Sequence, residues 1–177
     1  IDDLAESSQR GDKSSANGSS IAFIAEHGGK RCFFAGDAQS DKIKSALKDS
    51  DLLNDEDKLE IDVWKLSHHG SRKSTLDYLI EMIDCKHFLI SSDGKRYHHP
   101  NPEIPAKIIK QKGEGVEFYF NYRSEYSLVW NEKDLEEEYG FESHFPKEGE
   151  AGITYFLGGL ERGNTYEFGE DEIYECD

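Results

Sequence analysis

A layered α/β fold is the architecture this sequence predicts, and three observations carry it. Short apolar runs, among them Arg31-Cys32-Phe33-Phe34-Ala35, Ile61-Asp62-Val63-Trp64-Lys65-Leu66 and His87-Phe88-Leu89-Ile90-Ser91, have the length and composition of buried strands. Stretches of helical periodicity alternate with them. The 177 residues, 36% hydrophobic and 12% aromatic, suffice for one folded domain with a sizeable core.

The elements follow in order. Ile1 to Ser20 is small and polar, with Glu6 to Ser15 unable to bury much surface, and reads as a flexible linker or a cut terminus over residues 1–16. Ile21 to Glu26 is apolar almost throughout, as a strand covered on both faces should be. His27-Gly28-Gly29-Lys30 then supplies turn chemistry for a β-hairpin with the Arg31 run. Ser40 suits the cap of a helix to about Lys48, with Ile43 and Leu47 on one face. An acidic loop, residues 49–60, leads to the Ile61 strand. Ser74 suits the cap of a second helix, whose apolar stripe is Leu76, Leu79, Ile80 and Ile83. After the His87 strand, Pro102 and Pro105 stand where a third helix can begin, Ile104, Ile108 and Ile109 form its buried side, and Gly113 ends it. Val116 to Phe120 and Tyr126 to Trp130 are expected to form a closing hairpin. Ile153 to Leu157 and Tyr166 to Phe168 are candidate short strands in an acidic extension over residues 132–177. Trp64 and Trp130 are expected in the core.

The charge bounds the partners. Twenty-one Lys and Arg stand against 37 Asp and Glu, a formal net charge of -16. Non-specific nucleic-acid binding depends on basic residues neutralising phosphates, so such a substrate needs metal ions, a basic partner or a local positive patch. The acid concentrates after Glu132, in Glu136-Glu137-Glu138 and Glu170-Asp171-Glu172. That is a solubilising surface, a docking face for a basic protein or a mimic of nucleic acid. Cys32, Cys85 and Cys176 lack zinc-finger or redox spacing, and the sequence has neither an apolar run near membrane-span length nor a charged-then-apolar leader. Buried free thiols in a reducing, cytoplasmic setting, away from the membrane, are the expectation.

Two motifs carry the chemistry. The Arg31 strand ends in Gly36-Asp37-Ala38 and the Ile61 strand in Ser67-His68-His69-Gly70-Ser71. Each places a metal-capable side chain where a buried strand meets a loop: a carboxylate suits a hard divalent cation, and neutral imidazole suits zinc. Together they suggest half of a metal site. Neighbouring side chains on an extended strand point to opposite faces, so His68 and His69 serve one ion only if the backbone turns between them. His99, in Tyr97-His98-His99-Pro100, is the candidate for proton transfer or contact with substrate, as imidazole or imidazolium. Ser71 and His98 are candidate substrate contacts. Arg72, Lys73, Lys95 and Arg96 gather positive charge around these loops, where a phosphate is expected. Ser91, Ser92 and Asp93 are supporting candidates, His27 reads as a turn residue, and His87 and His144 have no metal-ligand spacing.

The order strand, Gly-Asp-Ala, helix, strand, His-His-Gly-Ser, helix, strand, Tyr-His-His-Pro resembles the metallo-β-lactamase fold and, within it, the ComEC-type hydrolases associated with DNA-uptake competence. The resemblance spans about residues 17–130, and Asn17-Gly18-Ser19-Ser20 looks like the opening of the same stretch. It implies the carboxy-terminal half of an αββα sandwich, a half-domain over residues 17–131. It further implies two divalent ions, zinc or manganese, with Asp37 bridging, His69 or His68 on the second ion and His99 assisting the leaving group. The His-x-His-x-Asp-His cluster of that family occurs nowhere in these residues. The missing half is expected on a cleaved or separately encoded chain, and the expected activity is that of a phosphodiesterase or nuclease acting on DNA or RNA. The alternative is a scaffold or regulatory binding protein whose metal site has degenerated.

Overall fold

The computed structural model describes residues 1–157. Its elements run α1 (Asp2–Ala5), α2 (Ser15–Gly18), β1 (Phe23–His27), β2 (Lys30–Phe34), α3 (Ser40–Lys48), β3 (Leu59–Glu60), β4 (Val63–Lys65), α4 (Asp77–Met82), β5 (Ile83–Asp84), β6 (His87–Ile90), α5 (Glu103–Lys112), β7 (Val116–Phe120), α6 (Glu125–Leu128), α7 (Lys133–Tyr139) and β8 (Phe141–His144). Six strands form one sheet in the order β1-β2-β4-β6-β7-β8, and β3 pairs with β5 in a separate ribbon. Only β1 is antiparallel to its neighbour; β2, β4, β6, β7 and β8 are parallel.

The two faces of this sheet differ sharply. In register across four parallel strands lie Phe33, Trp64, Phe88 and Phe118, and their rings step across the sheet with centroids 5.8, 5.9 and 5.8 Å apart. They pack with Ile43 and Leu47 of α3, Leu79 and Ile80 of α4, and Ile104 and Ile108 of α5 in the core. Each fully buried aromatic of this kind stabilises by about 1.5–3 kcal/mol. The opposite face carries Cys32, Val63, His87, Glu117 and Glu142 in one row and Phe34, Lys65, Leu89, Tyr119 and His144 in the next. No helix lies over that face among the described residues; part of it is crossed by residues 153–157, with Tyr155 against His87 and Tyr119. Mixed α/β architecture with a mainly parallel sheet is therefore established.

Several expectations are corrected. The polar start does not behave as a linker. Ile1, Leu4 and Ala5 pack against the core, Lys107 Nζ donates to Ala5 O at 2.6 Å, and Gln9 Nε2 donates to the carbonyls of Arg72 and Thr75 at 3.1 Å. Few apolar residues suffice because α5 offers a surface already formed. Strand β1 is an exposed edge, not a strand covered on both faces. Tyr126 to Trp130 is not a strand: Ser124 and Ser127 form a reciprocal capping box that starts α6, and this local bonding overrides the β propensity of the aromatics. Ser40 and Ser74 are not caps. Ser40 Oγ instead donates to Ser74 O at 2.8 Å and accepts from Leu76 N, tying the two helix starts together.

The acidic stretch after Glu132 is part of the domain as far as β8, which extends the sheet and buries Phe141. Residues 153–157 form no strand. The candidate strand Tyr166 to Phe168 and Cys176 lie outside the described residues. Trp64, Trp130, Cys32 and Cys85 are buried as expected, both cysteines as free thiols. Among the described residues no helix is long and apolar enough to cross a membrane.

Candidate metal centre at the carboxyl ends of the strands

The loops after β2, β4 and β6 lie side by side because their strands are parallel and consecutive in the sheet. Gly36 makes the first turn possible. Its φ is 53°, and an added Cβ would lie 2.6 Å from the Ile21 carbonyl oxygen. Asp37 follows, half-buried, its N–H donating to Ser20 Oγ at 2.9 Å. The second loop is clamped to the first: His68 N–H donates to Gly36 O at 2.8 Å and buried Ser67 Oγ donates to Ala38 O at 2.7 Å.

The required turn between the two histidines is present. Residues Ser67–His69 form a 3-10 turn in which His68 and His69 both take left-handed φ, 46° and 59°. Such values are strained for residues with a side chain and concentrate at functional loops. The two rings consequently lie 6.2 Å apart, edge to face, and the His99 ring lies 5.5 Å from that of His68. Asp37, His68, His69, His99, Asn17 and Arg72 all line one cleft of about 620 Å³. Ser71 and Lys73 share its wall.

Proton positions separate the two histidines. His69 Nδ1 lies 2.5 Å from Ser91 O, and a carbonyl only accepts, so Nδ1 carries a proton and Nε2 is the nitrogen left for a metal. His68 Nδ1 lies 3.3 Å from Asn17 Nδ2 and 3.4 Å from Ser74 Oγ. Ligation by His68 through Nε2 requires its Nδ1 to donate to Ser74. Asn17 is held by Asp12, to which its amide donates, so the polar amino-terminal segment reaches the site itself.

His99 is 8% exposed, and its Nδ1 is buried without a hydrogen-bond partner among the described residues. Burial first, then the neighbouring charges of His68 and His69, push its pKa down to about 4 against the pull of Asp37. His99 is thus a neutral imidazole at neutral pH, and of the roles expected for it the imidazolium is disfavoured. Burial likewise pushes the Lys65 ammonium below its ordinary range, opposed by Asp37.

The remaining candidates divide. Arg96 lies with Ser91, Ser92 and Asp93 on an adjoining cavity of about 270 Å³ that shares His69 and His99. Arg72 pairs with Glu103 at 2.9 Å. His98 turns away to hydrogen-bond the Tyr126 hydroxyl, and Lys95 sits beside Asp93 at 3.6 Å; neither lines these two cavities. Sequence reasoning missed Asp12, Ser74 and Asn101. Asn101 joins two loops, donating from N to Gly70 O and accepting Arg72 N–H at its side-chain oxygen. Asp12 and Ser74 are recognisable only once their contacts with Asn17 and His68 are known.

The donor types suit a divalent ion, and orphaned His99 Nδ1 marks a place where a polar partner is wanted. The set is nonetheless open. Among the described residues, Asp37, His68, His69 and His99 do not bring three ligand atoms within 4.8 Å of one another, whereas Glu117, Glu142 and His144 do.

Over 94 residues, 52% of its length, the chain is 31% identical to ComE operon protein 3 of Bacillus subtilis (strain 168). The match covers 11% of that protein's own length, so the chain corresponds to a small part of it. No family model and no solved structure matches the chain significantly.

Proposed function

We propose that this chain forms one side of a metal-dependent phosphodiesterase, a nuclease acting on DNA or RNA. The observation that carries the reading is the convergence of Asp37, His68, His69 and His99, from three separate loops, on one cleft. In open α/β sheets, ligands bind outside the carboxyl ends of the strands, where this cleft lies. Similarity to ComE operon protein 3 accords with the ComEC-type resemblance of the motifs.

Two divalent ions held there, zinc or manganese, would supply hydroxide at neutral pH and clamp a phosphate oxygen. Asp37 offers a carboxylate to bridge them, and His69, with Nε2 left for a metal by the hydrogen bond to Ser91, is the better-prepared imidazole ligand. Neutral His99 hydrogen-bonds the phosphate from the buried wall. Ser71, Arg72 and Arg96 orient the nucleic-acid backbone around it. An openness of this kind calls for further ligands, which a His-x-His-x-Asp-His segment on a separate or cleaved chain provides by covering the uncovered sheet face. The acidic surface beyond Glu132 serves a basic protein partner. Free thiols at Cys32 and Cys85 fit work in the reducing cytoplasm.

The same openness supports a second reading, a scaffold whose metal site has degenerated. Native mass spectrometry of the chain purified gently from its host separates the two. A complex with a histidine-rich second chain, about two metal ions that are lost in Asp37→Ala, and manganese-dependent cleavage of DNA or RNA lost with them is the expected result. A single chain with a cooperative melt, whose metal content is unchanged in Asp37→Ala, would establish the scaffold.

A further inference from the structure

The open face of the sheet holds a second cluster at the other end of the strands. His87 begins β6, Glu117 and Glu142 are the second residues of β7 and β8, and the parallel register sets all three side by side in one row. His144, two residues after Glu142, falls on the same face in the next row beside Tyr119. Adjacent strands are about 4.8 Å apart, so three neighbouring strands deliver their side chains to one spot.

The contacts converge on Glu117. Its Oε2 lies 2.9 Å from His144 Nε2, 3.8 Å from His87 Nδ1 and 2.5 Å from the Tyr119 hydroxyl, which donates to it. Glu142 Oε2 lies 3.9 Å from the same His144 nitrogen. Glu117, Glu142 and His144 present ligand atoms within 4.8 Å of one another. This is a mixed set of imidazoles and carboxylates, half-buried except for exposed Glu142, in which His87 Nδ1 is buried without a hydrogen-bond partner among the described residues. Tyr155 closes over His87 and Tyr119, with ring centroids 5.6 and 4.8 Å away.

We infer that Glu117, Glu142 and His144 form a zinc site distinct from the Asp37 cleft, with His87 at its edge, 3.8 Å from Glu117. Tetrahedral zinc with bonds of about 2.1 Å sets its ligand atoms roughly 3.4 Å apart, and the observed 2.9 and 3.9 Å straddle that spacing. One imidazole nitrogen with two carboxylate oxygens matches zinc better than magnesium or calcium, which take six or more oxygens. Three protein ligands leave a fourth position, beside which stands His87 Nδ1 without a hydrogen-bond partner among the described residues. The ion staples β7 and β8 together, and the Tyr119 hydroxyl orients its carboxylate ligand from behind.

Zinc binding by the full chain, measured by competition with a fluorescent chelator and by metal content after desalting, tests this. The double variant Asp37→Ala/His69→Ala disables the carboxyl-end cleft and should still retain one zinc per chain. In that background His144→Ala should weaken binding by roughly 100-fold, and Tyr119→Phe by roughly tenfold. If His144→Ala fails to fold, Glu142→Gln gives the same reading, since that side chain is 73% exposed and its loss perturbs little else. Failure of Asp37→Ala/His69→Ala to bind zinc, or affinity unchanged by both His144→Ala and Glu142→Gln, overturns the site. Neither result depends on whether the Asp37 cleft is catalytic.

Discussion

The two ends of the sheet assemble polar clusters by opposite means. At the carboxyl ends, Asp37, His68, His69 and His99 stand on loops, and left-handed backbone at His68 and His69 aims them. At the amino ends, His87, Glu117, Glu142 and His144 stand on regular strands, and only the parallel register unites them. Loop-built sites can carry local strain and change shape with what they bind, while a strand-built cluster is as rigid as the sheet. The first arrangement therefore suits chemistry and the second suits a fixed ion or a fixed hydrogen-bond network.

Phe118→Ala should abolish the contrast altogether. Phe118 is fully buried in the aromatic row on the core face of the sheet, so a loss of about 3–5 kcal/mol is expected in chemical denaturation, with metal binding weakened at both ends as the sheet loosens. Gly70→Ala should separate the ends. Gly70 has φ 83°, and a Cβ there would lie 2.9 Å from Pro100 Cβ, so at least about 1–2 kcal/mol is expected to be lost. Calorimetry checks that figure; metal affinity should fall for the Asp37 cleft and stay unchanged for the His144 cluster.

Asp62→Asn probes the amino end mildly. Burial alone would raise the Asp62 pKa, but hydrogen bonds from Lys30 and the Arg31 N–H hold it below the ordinary 3.8. The carboxylate thus contributes stability above pH 3.8 that is lost as the pH falls through its lower folded value. The melting difference between parent and Asp62→Asn, within about 1 kcal/mol, should be steady down to that pH and close below it. The smallest perturbation is a reagent: burial pushes the Cys85 thiol up to about 12, so alkylation at neutral pH should spare it until the chain unfolds. Rapid labelling of native Cys85 would show that the amino end opens far more readily than its burial indicates.

Much of the core and one of the two clusters were legible in the sequence. Apolar runs of strand length marked β2, β4, β6 and β7, and the prolines and glycine around Glu103–Lys112 marked α5, because burial and chain punctuation act over a few residues. The same locality exposed Asp37, His68 and His99, each carried in a short motif beside a strand. It failed where neighbours are distant in the chain. The capping serines turned Tyr126 to Trp130 into a helix, the polar amino terminus found its apolar partner on α5, and Phe141 found its place at the sheet edge. His87 and His144, which no spacing connects, approach the same Glu117 carboxylate only because β6, β7 and β8 are parallel and in register. Local sequence determined which segments are strands and which loops bear ligands, since those preferences are short-ranged. The tertiary structure alone decided which strand faces share a row, because pairing partners far apart in the chain are chosen by packing of the whole sheet.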